Sequence, residues 1–352
     1  MIDAREKARK LVLGAAWWSG LAALSAPLLA GAGAILMLHR VNGLATSPLG
    51  LNSHLSITPV FLDRLLDDLK RRGLALVSLD ELLERLPAGD RRTVAITLDD
   101  GWLDNLTDAL PVFEAHDAPF TVYVAPGLTS GAVSPWWEVV EEKVARSDAI
   151  HLPESEGGAA LACADPTDKL SVARSLMERL TNEIAEEEQQ DFLRQIGALP
   201  ESTADGRRFM DWDEIRRLSA HPLATIGAHT IHHYNLRRLS EQAAMEEMSA
   251  SAAVIEAETG MRPSHFAYPY GYERAVGARE VALAREAGFA SAVTTRHGVL
   301  HRQHADHMHA LPRISINGNF QRLSYVRTLL SGLTTPLSNG GRRVVTVQSS
   351  HV

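Results

Sequence analysis

The sequence has only one cysteine, Cys163, among its 352 residues. A single thiol cannot form an intramolecular disulfide, and one cysteine also excludes a cysteine-rich zinc site. The residues around Cys163 are polar, predict a helix and carry no motif. We therefore interpret Cys163 as an incidental thiol.

Positive charge is also scarce relative to negative charge. Lysine and arginine number 35 against 43 aspartates and glutamates, which gives a formal net charge of −8 at pH 7. Because nucleic-acid-binding proteins need a basic surface for phosphate contacts, this balance argues against nucleic acid as the main partner. The 45% hydrophobic and 22% charged residues are ordinary for a soluble globular protein, and the length allows one large domain or two small ones.

The N-terminus contains a long uncharged segment. Residues 11–34 carry no charge and follow a charged start, a pattern compatible with a membrane span or a signal peptide. Gly14, Gly20 and Pro27 interrupt the segment, and it continues directly into a predicted strand, which weakens both interpretations. A helix that packs on the domain or lies on a membrane surface is favoured, and a span and an export signal are the alternatives. A cytoplasmic or inner-membrane-associated protein is accordingly favoured over a secreted one.

The rest of the chain alternates between predicted strands and predicted helices. This spacing is typical of a parallel sheet with right-handed crossovers, and about seven strand–helix pairs closing on themselves predict an α/β barrel. Residues 134–208 break the rhythm, because they are charged, helix-prone and without a strand signal. We predict an apolar N-terminal segment at 1–34, a barrel at 35–333 with a helical insertion at about 134–208 that lacks a core of its own, and a flexible tail at 334–352.

A strand that ends in two carboxylates is the first chemical motif. The run Val94–Leu98 is apolar and rich in β-branched residues, and Asp99, Asp100 and Gly101 follow it. Burying carboxylates is costly unless they are paired or bind a metal. Sites in α/β folds lie at the C-terminal edge of the strands, so we expect one carboxylate to hold a cation and the other to move a proton.

A histidine pair follows another predicted strand, at 224–227. His229 and His233 are four residues apart, and in a helical turn this spacing presents both imidazoles to one cation. Two imidazoles and the carboxylate of Asp100 match a three-ligand catalytic zinc site with an open position for water.

Two further strand ends carry candidate site residues. An aromatic turn, Tyr268–Gly271, follows a predicted strand. Such a turn can point a backbone N–H into a site, where it would stabilise an oxyanion. His39 ends the first predicted strand, where a lone histidine is either structural or catalytic.

In order and spacing, these motifs resemble those of the polysaccharide deacetylases of carbohydrate esterase family four, which include the chitooligosaccharide deacetylases. That family reads Thr-Phe-Asp-Asp-Gly, then His-Ser/Thr-x-x-His, then Arg-x-Pro-Tyr-Gly. This chain has Thr97–Gly101, His229–His233 and Ala267–Gly271 at the corresponding places. The resemblance covers about residues 35 to 316 and implies a distorted (β/α)7 barrel.

The resemblance also implies roles for individual residues. Asp100, His229 and His233 would bind a divalent metal, with zinc the expected ion. Asp99 would act as the general base. The backbone N–H of Tyr270 and the metal would hold the oxyanion.

The chain departs from the family pattern at the arginine that braces the base aspartate. Ala267 stands at that place. Another side chain must therefore orient Asp99, and Arg313 on the last strand and Arg40 on the first are the candidates.

The general acid is the second departure. The family's late histidine motif is not evident after residue 293, and we interpret the five histidines between 297 and 309 as a solvated loop. The segment Leu38–Val41, however, resembles the Tyr-His-x-Val element of the biofilm poly-N-acetylglucosamine deacetylases, in which the motif order is circularly permuted. This resemblance favours His39 as the acid that protonates the leaving amine.

The sequence therefore predicts a metal-dependent hydrolase that removes N-acetyl groups from N-acetylglucosamine-type poly- or oligosaccharides. A metal-dependent amidase on a non-sugar amide is the alternative within the same fold. A catalytically inactive sugar-binding homologue is the alternative from a different class. Trp136 and Trp137, at the start of the insertion, are expected to pack it, with stacking on a sugar ring as the other interpretation.

Overall fold

Parallel strands form the centre of the protein in the computed structural model, which describes residues 4–43, 47–89, 92–199 and 208–347. The strands of this part of the chain are β1 (Gly33–Leu38), β2 (Arg40–Val41), β3 (Ser56–Ile57), β4 (Ala75–Leu76), β5 (Thr93–Leu98), β6 (Phe120–Val124), β7 (Ala149–His151), β8 (Ala160–Ala162), β9 (Ala224–Ala228), β10 (His265–Ala267), β11 (Ser291–His297) and β12 (Leu311–Ser315). Its α-helices are α1 (Ala4–Trp18), α2 (Leu21–Leu29), α3 (Pro59–Arg71), α4 (Leu79–Arg85), α5 (Leu110–Ala115), α6 (Pro126–Thr129), α7 (Trp136–Arg146), α8 (Pro166–Asn182), α9 (Gln189–Gln195), α10 (Trp212–Ser219), α11 (Glu241–Thr259), α12 (Ala278–Glu286), α13 (Leu323–Leu330) and α14 (Thr334–Ser338).

Seven of these strands close into a barrel. Their order is β1, β12, β11, β10, β9, β6 and β5, and β5 returns to pair with β1. All of these pairings are parallel, and the short β4 extends the sheet beside β5. The predicted (β/α)7 barrel is confirmed.

The inward positions of the strands lead directly to the predicted site. Ile35 of β1 and Ala95 of β5 belong to the cluster inside the barrel. Because side chains alternate along a strand, the inward series continues to His39 and to Asp99. β1 and β5 pair in register along their whole length, so these two residues lie side by side at the C-terminal edge.

The helix α3 covers the outside of the barrel and begins at a side-chain cap. Thr58 is its cap, with Oγ1 accepting a hydrogen bond from the backbone N–H of Phe61 at 3.2 Å, and Pro59 occupies the first turn. Its inner face is buried in the main hydrophobic cluster, whereas Val60 is 61% exposed. The buried apolar residues of that face are Phe61, Leu62, Leu65, Leu66 and Leu69.

The insertion contains strands and a core, which the sequence analysis did not predict. β7 and β8 pair antiparallel, and α7, α8 and α9 enclose a separate hydrophobic cluster. Cys163 is buried in that cluster just after β8, so the predicted polar helix around it is wrong. Strands of three residues are too short for their alternation to stand out in a sequence. Residues 200–207 of the predicted insertion lie outside the described residues.

A buried glutamate ties the insertion to the loop after β2. Glu141 of α7 is 1% exposed. Its carboxylate accepts hydrogen bonds of 2.7–3.1 Å from Ser47 Oγ, the backbone N–H groups of Leu49 and Leu51, and Nδ2 of Asn52. Because a buried carboxylate needs such partners, α7 and this loop form one fixed wall.

The N-terminal segment forms two helices on the barrel surface. α1 packs against α13, and Leu13 is buried there. In the described chain no single helix is long and apolar enough to cross a membrane; α1 and α2 reach that length only together, and they are bent by 88° at the break. Six of the ten exposed large hydrophobic residues of the described chain lie on these two helices, namely Leu11, Val12, Trp18, Leu21, Leu24 and Leu28. Membrane association of this segment stays a prediction.

The C-terminal residues contact the barrel over much of the predicted tail. Val345 is buried, and Arg296 of β11 donates a hydrogen bond to the carbonyl of Thr346 at 2.8 Å. The expectation of a flexible tail therefore fails for residues 334–347, whereas 348–352 lie outside the described residues. The other predicted domain boundaries stay predictions.

The packing of the C-terminal residues also explains why the histidine-rich segment at 297–309 is not a solvated loop throughout. His304 is fully buried, and its Nε2 lies 3.2 Å from both the backbone nitrogen and the carbonyl oxygen of Val345. The tail covers this histidine, and sequence periodicity carries no signal for such a long-range contact.

Shortening a buried side chain of α3 tests how strongly burial holds this helix to the barrel. Leu65→Ala is expected to lower the free energy of unfolding by about 2–5 kcal/mol, because it leaves a cavity in the core. Val60→Ala, on the exposed side of the same helix, is expected to change it by less than about 0.5 kcal/mol. Urea unfolding of both variants measures the difference, and equal effects would contradict the orientation of α3.

Candidate active site

The C-terminal edge of the barrel carries a pocket of about 340 Å³. The predicted site residues that line it are His39, Asp99, Asp100, His229, His233 and Tyr270. Another part of the wall comes from the insertion and from the loop after β2, through Leu51, His54, Leu55, Trp136, Trp137 and Met177. The pocket is therefore built jointly by the strand ends and by the insertion.

One oxygen of Asp100 faces both imidazoles of the histidine pair. Oδ1 lies 3.4 Å from Nε2 of His229 and 3.4 Å from Nε2 of His233, and the three candidate ligand atoms lie within 4.8 Å of one another. Asp100 is 2% exposed, and its Oδ1 has no hydrogen-bond partner among the described residues. A buried carboxylate oxygen without a donor, facing two nitrogen ligands, fits a divalent cation such as zinc.

The charge state of Asp100 agrees with a cation-binding role. Burial alone would raise its pKa, but interactions with His229 and His233 outweigh burial and hold the pKa well below its usual range. The carboxylate is therefore ionised at neutral pH, as a metal ligand must be.

A backbone carbonyl fixes the tautomer of His229. Its Nδ1–H donates a hydrogen bond of 2.7 Å to the carbonyl oxygen of Ala267. The proton on Nδ1 leaves the lone pair of Nε2 free for a metal, which is the arrangement found around most ligating histidines. The side chain at position 267 is small, but its carbonyl helps to build the site.

The histidine pair does not lie in a helical turn, contrary to the sequence prediction. Residues 229–235 form a loop in which Thr230 and His233 have positive φ angles of 60° and 59°. Glu247 of α11 holds this loop by accepting hydrogen bonds of 2.9 Å from the backbone N–H groups of Ile231 and His232. The two left-handed residues, rather than helical periodicity, bring both imidazoles to one point.

Backbone strain is concentrated around the pocket. Asp100, Thr230, His233 and Tyr270 are four of the five described non-glycine residues with positive φ. Such conformations cost about 1–3 kcal/mol each and persist where the surrounding structure imposes them. Three of these four residues, Asp100, His233 and Tyr270, line the pocket.

Asp99 forms a bidentate pair with Arg313 inside the barrel. Both carboxylate oxygens accept hydrogen bonds of 2.7 Å from the guanidinium, which also donates to Thr97 Oγ1 at 3.1 Å and to the carbonyl of Thr294 at 3.0 Å. Burial alone would raise the pKa of Asp99, but the charge and hydrogen bonds of Arg313 outweigh it and lower the pKa. Asp99 is thus ionised and held in one orientation.

Arg40, the other candidate brace, points elsewhere. Its Nε donates to Asp104 Oδ2 at 2.8 Å, and its guanidinium lies 3.6 Å from Glu138. The contact that the family's missing arginine would make with Asp99 is therefore made by Arg313.

His39 and Tyr270 complete the lining of the pocket. The carbonyl oxygen of His39 accepts a hydrogen bond of 2.8 Å from Asn105 Nδ2, which fixes the end of β1. Trp136 Nε1–H donates to the Tyr270 hydroxyl at 3.0 Å, and Thr295 Oγ1 donates to the Tyr270 carbonyl at 2.7 Å. Burial raises the pKa of the Tyr270 hydroxyl, which keeps it protonated.

Sequence reasoning missed two residues that hold the site. Glu247 lies on the buried side of α11, and a carboxylate at such a position was a usable signal. Trp102 is fully buried directly after the Asp-Asp-Gly motif, and its Nε1 donates to Asp100 Oδ2 at 2.9 Å. The indoles of Trp136 and Trp137 line the pocket, while Trp136 also belongs to the core of the insertion.

Comparison with known structures shows the same fold. Residues 178–292 match the family model described as polysaccharide deacetylase. The deacetylase PplD of Streptococcus pyogenes, solved in complex with acetate, is 17% identical, with a TM-score of 0.56 over 84% of this chain and 97% of that one. IcaB from Ammonifex degensii is 17% identical, with a TM-score of 0.54 over 85% and 96%.

A de-N-acetylase from Aggregatibacter actinomycetemcomitans is 14% identical and has a TM-score of 0.51 over 84% of this chain and 99% of that one. No curated protein sequence matches this chain. The family match, on the barrel that these structures share, confirms the predicted resemblance of this chain to the polysaccharide deacetylases.

Proposed function

We propose that this protein is a metal-dependent deacetylase that removes N-acetyl groups from N-acetylglucosamine-type saccharides. The observation that carries the proposal concerns Oδ1 of Asp100, which has no hydrogen-bond partner among the described residues and faces His229 and His233. The Arg313-paired Asp99 lies next to it. The family match supports deacetylation of a carbohydrate.

The geometry supports a separate task for each residue around the acetamide. A divalent ion held by Asp100, His229 and His233 would supply Lewis acidity at the carbonyl oxygen and lower the pKa of water. Asp99 would accept the proton of the attacking water. The backbone N–H of Tyr270 would donate to the carbonyl oxygen as it gains negative charge.

His39 would complete the reaction at the leaving nitrogen of the acetamide. Its imidazolium would give a proton to the leaving nitrogen as the carbon–nitrogen bond breaks, which yields acetate and a free amine. The in-register pairing of β1 and β5 supports this division, because it sets His39 and Asp99 on adjacent strand ends. The indoles of Trp136 and Trp137 would pack on the sugar ring.

The inactive homologue loses its main support. The absence of the family's arginine at Ala267 favours an inactive homologue, but Arg313 makes the corresponding contact with Asp99. A metal-dependent amidase on a non-sugar amide has no specific observation in its favour.

Acetate release from defined substrates tests the proposed activity. We expect release from N-acetylglucosamine oligomers with one equivalent of Zn²⁺, its loss on chelation, and its return when Zn²⁺ is restored. Small acetamides without a sugar serve as the comparison. Faster turnover of these amides would favour the amidase, and activity that survives complete chelation would contradict metal dependence.

Two neighbouring variants separate the base from the ligand. Asp99→Asn is expected to lower acetate release by about 100-fold or more while zinc content is kept, because the base is lost and the three proposed zinc ligands remain. Asp100→Asn is expected to lose the zinc itself. Metal analysis and thermal melting accompany the assay, because Asp99→Asn also weakens the pair with Arg313.

Asp117→Asn is the matched control. Asp117 is exposed and also has a positive φ, which asparagine tolerates. It should keep both zinc and activity. Near wild-type turnover of Asp99→Asn would disprove its role as the base.

We also propose that α1 and α2 attach the protein to an anionic membrane surface. The exposed residues Leu11, Trp18 and Leu24 lie on these helices, Lys7 and Arg9 are exposed near their start, and the sequence has no acidic residue from 7 to 62. Apolar and cationic groups together favour binding at the interface of an anionic bilayer.

Vesicle sedimentation tests this attachment. We expect the protein to sediment with phosphatidylcholine vesicles that contain phosphatidylglycerol, and less with phosphatidylcholine alone. Trp18→Glu combined with Leu24→Glu should abolish the binding, because it places charge on the apolar surface. Leu337→Glu, at another exposed leucine, is the control and should bind normally. Equal sedimentation of the control and the double variant would rule out this surface.

A further inference from the structure

The carboxylate of Asp100 is bound asymmetrically. Its Oδ2 accepts a hydrogen bond of 2.9 Å from Trp102 Nε1, whereas its Oδ1 has no partner among the described residues. An indole N–H can only donate, so it cannot compete with the carboxylate for a cation. The oxygen that faces His229 and His233 is therefore the only one left for a metal.

The indole of Trp102 is itself tightly held. It is fully buried, and the centroid of its ring lies 4.3 Å from the centroid of the Phe209 ring. The guanidinium of Arg40 lies 4.2 Å from the ring centroid, a cation–π contact in a desolvated place. A positive charge over the ring draws electron density from it, which makes the N–H a stronger donor to Asp100.

A second carboxylate holds Arg40 against the indole. Asp104 accepts hydrogen bonds from Arg40 Nε at 2.8 Å, from the backbone N–H of Val41 at 3.1 Å and from Asn42 Nδ2 at 2.9 Å. Glu138 of α7 lies 3.6 Å from the same guanidinium. Arg40 is thus held between two carboxylates, and the guanidinium has little freedom to leave the ring.

We propose that Trp102 is a positioning residue that reserves Oδ1 of Asp100 for the metal, and that Arg40 strengthens this hold through the indole. The inference rests on the proposed metal site at Asp100, His229 and His233. Without the indole N–H, Oδ2 would lose its partner and the carboxylate could turn toward the cation with both oxygens.

Metal titration of Trp102→Phe tests the proposal. This variant keeps a buried aromatic ring and removes the N–H. Competition with a chromophoric chelator should show Zn²⁺ affinity about 10- to 100-fold weaker than that of the wild type, the usual effect of losing such an outer hydrogen bond. The absorption bands of bound Co²⁺ should also shift, because the coordination by the carboxylate changes.

Trp137→Phe is the matched control. Its Nε1 is also buried beside the site, but that atom has no hydrogen-bond partner among the described residues, and the ring lies 4.8 Å from that of His233. The same substitution there should leave Zn²⁺ affinity and the Co²⁺ spectrum unchanged. An equal loss in both variants would mean that any tryptophan replaced in the pocket disturbs the metal, and would overturn the proposal.

Arg40→Gln keeps the inference testable if Trp102→Phe does not fold. Glutamine can still hydrogen-bond Asp104 but carries no charge over the indole, so Zn²⁺ affinity should fall by several-fold and less than in Trp102→Phe. Wild-type affinity in the folded variants would overturn the inference. A wild-type protein that itself binds no Zn²⁺ would instead defeat the proposed function.

Discussion

The buried pair between Asp99 and Arg313 is the constraint on which the site depends. Two charges that are 2% and 1% exposed are tolerated only if they are paired and hydrogen-bonded on almost every side. The pair joins β5 to β12 across β1, which lies between them in the barrel. Closure of the barrel is therefore what brings the two partners together, and the pair in turn fixes the carboxylate that faces the pocket.

The site residues at the strand ends could be predicted from the sequence, because the apolar run of each strand and the polar residues that follow it are close together in the chain. Asp99 and Asp100 end a strand whose apolar, β-branched run is visible in the sequence, and in a parallel barrel every strand ends at the same edge. The residue that orients Asp99 could be narrowed to Arg313 or Arg40 from the sequence. Choosing between these two requires knowing which strands become neighbours. The same limit hid Trp102, whose role appears only once its indole is seen against Asp100.

Elements with short or irregular backbone were predicted less well. The histidine loop was predicted as a helical turn because its spacing fits one, whereas the observed φ angles of Thr230 and His233 are left-handed. That conformation costs energy locally, and Glu247 offsets the cost from a distant helix. The core of the insertion was missed for a related reason: its residues come from three helices and a hairpin, and none of these shows a long apolar pattern alone.

The buried carboxylate of Glu141 has a consequence for how this barrel could change its substrate. Its four donors all belong to the loop at 47–52, while the carboxylate belongs to the insertion. If the insertion alone were exchanged with that of another barrel, the partly buried backbone N–H groups of Leu49 and Leu51 would lose their acceptor. The insertion and this loop would therefore have to be exchanged together if the wall that they form beside the pocket is to be kept.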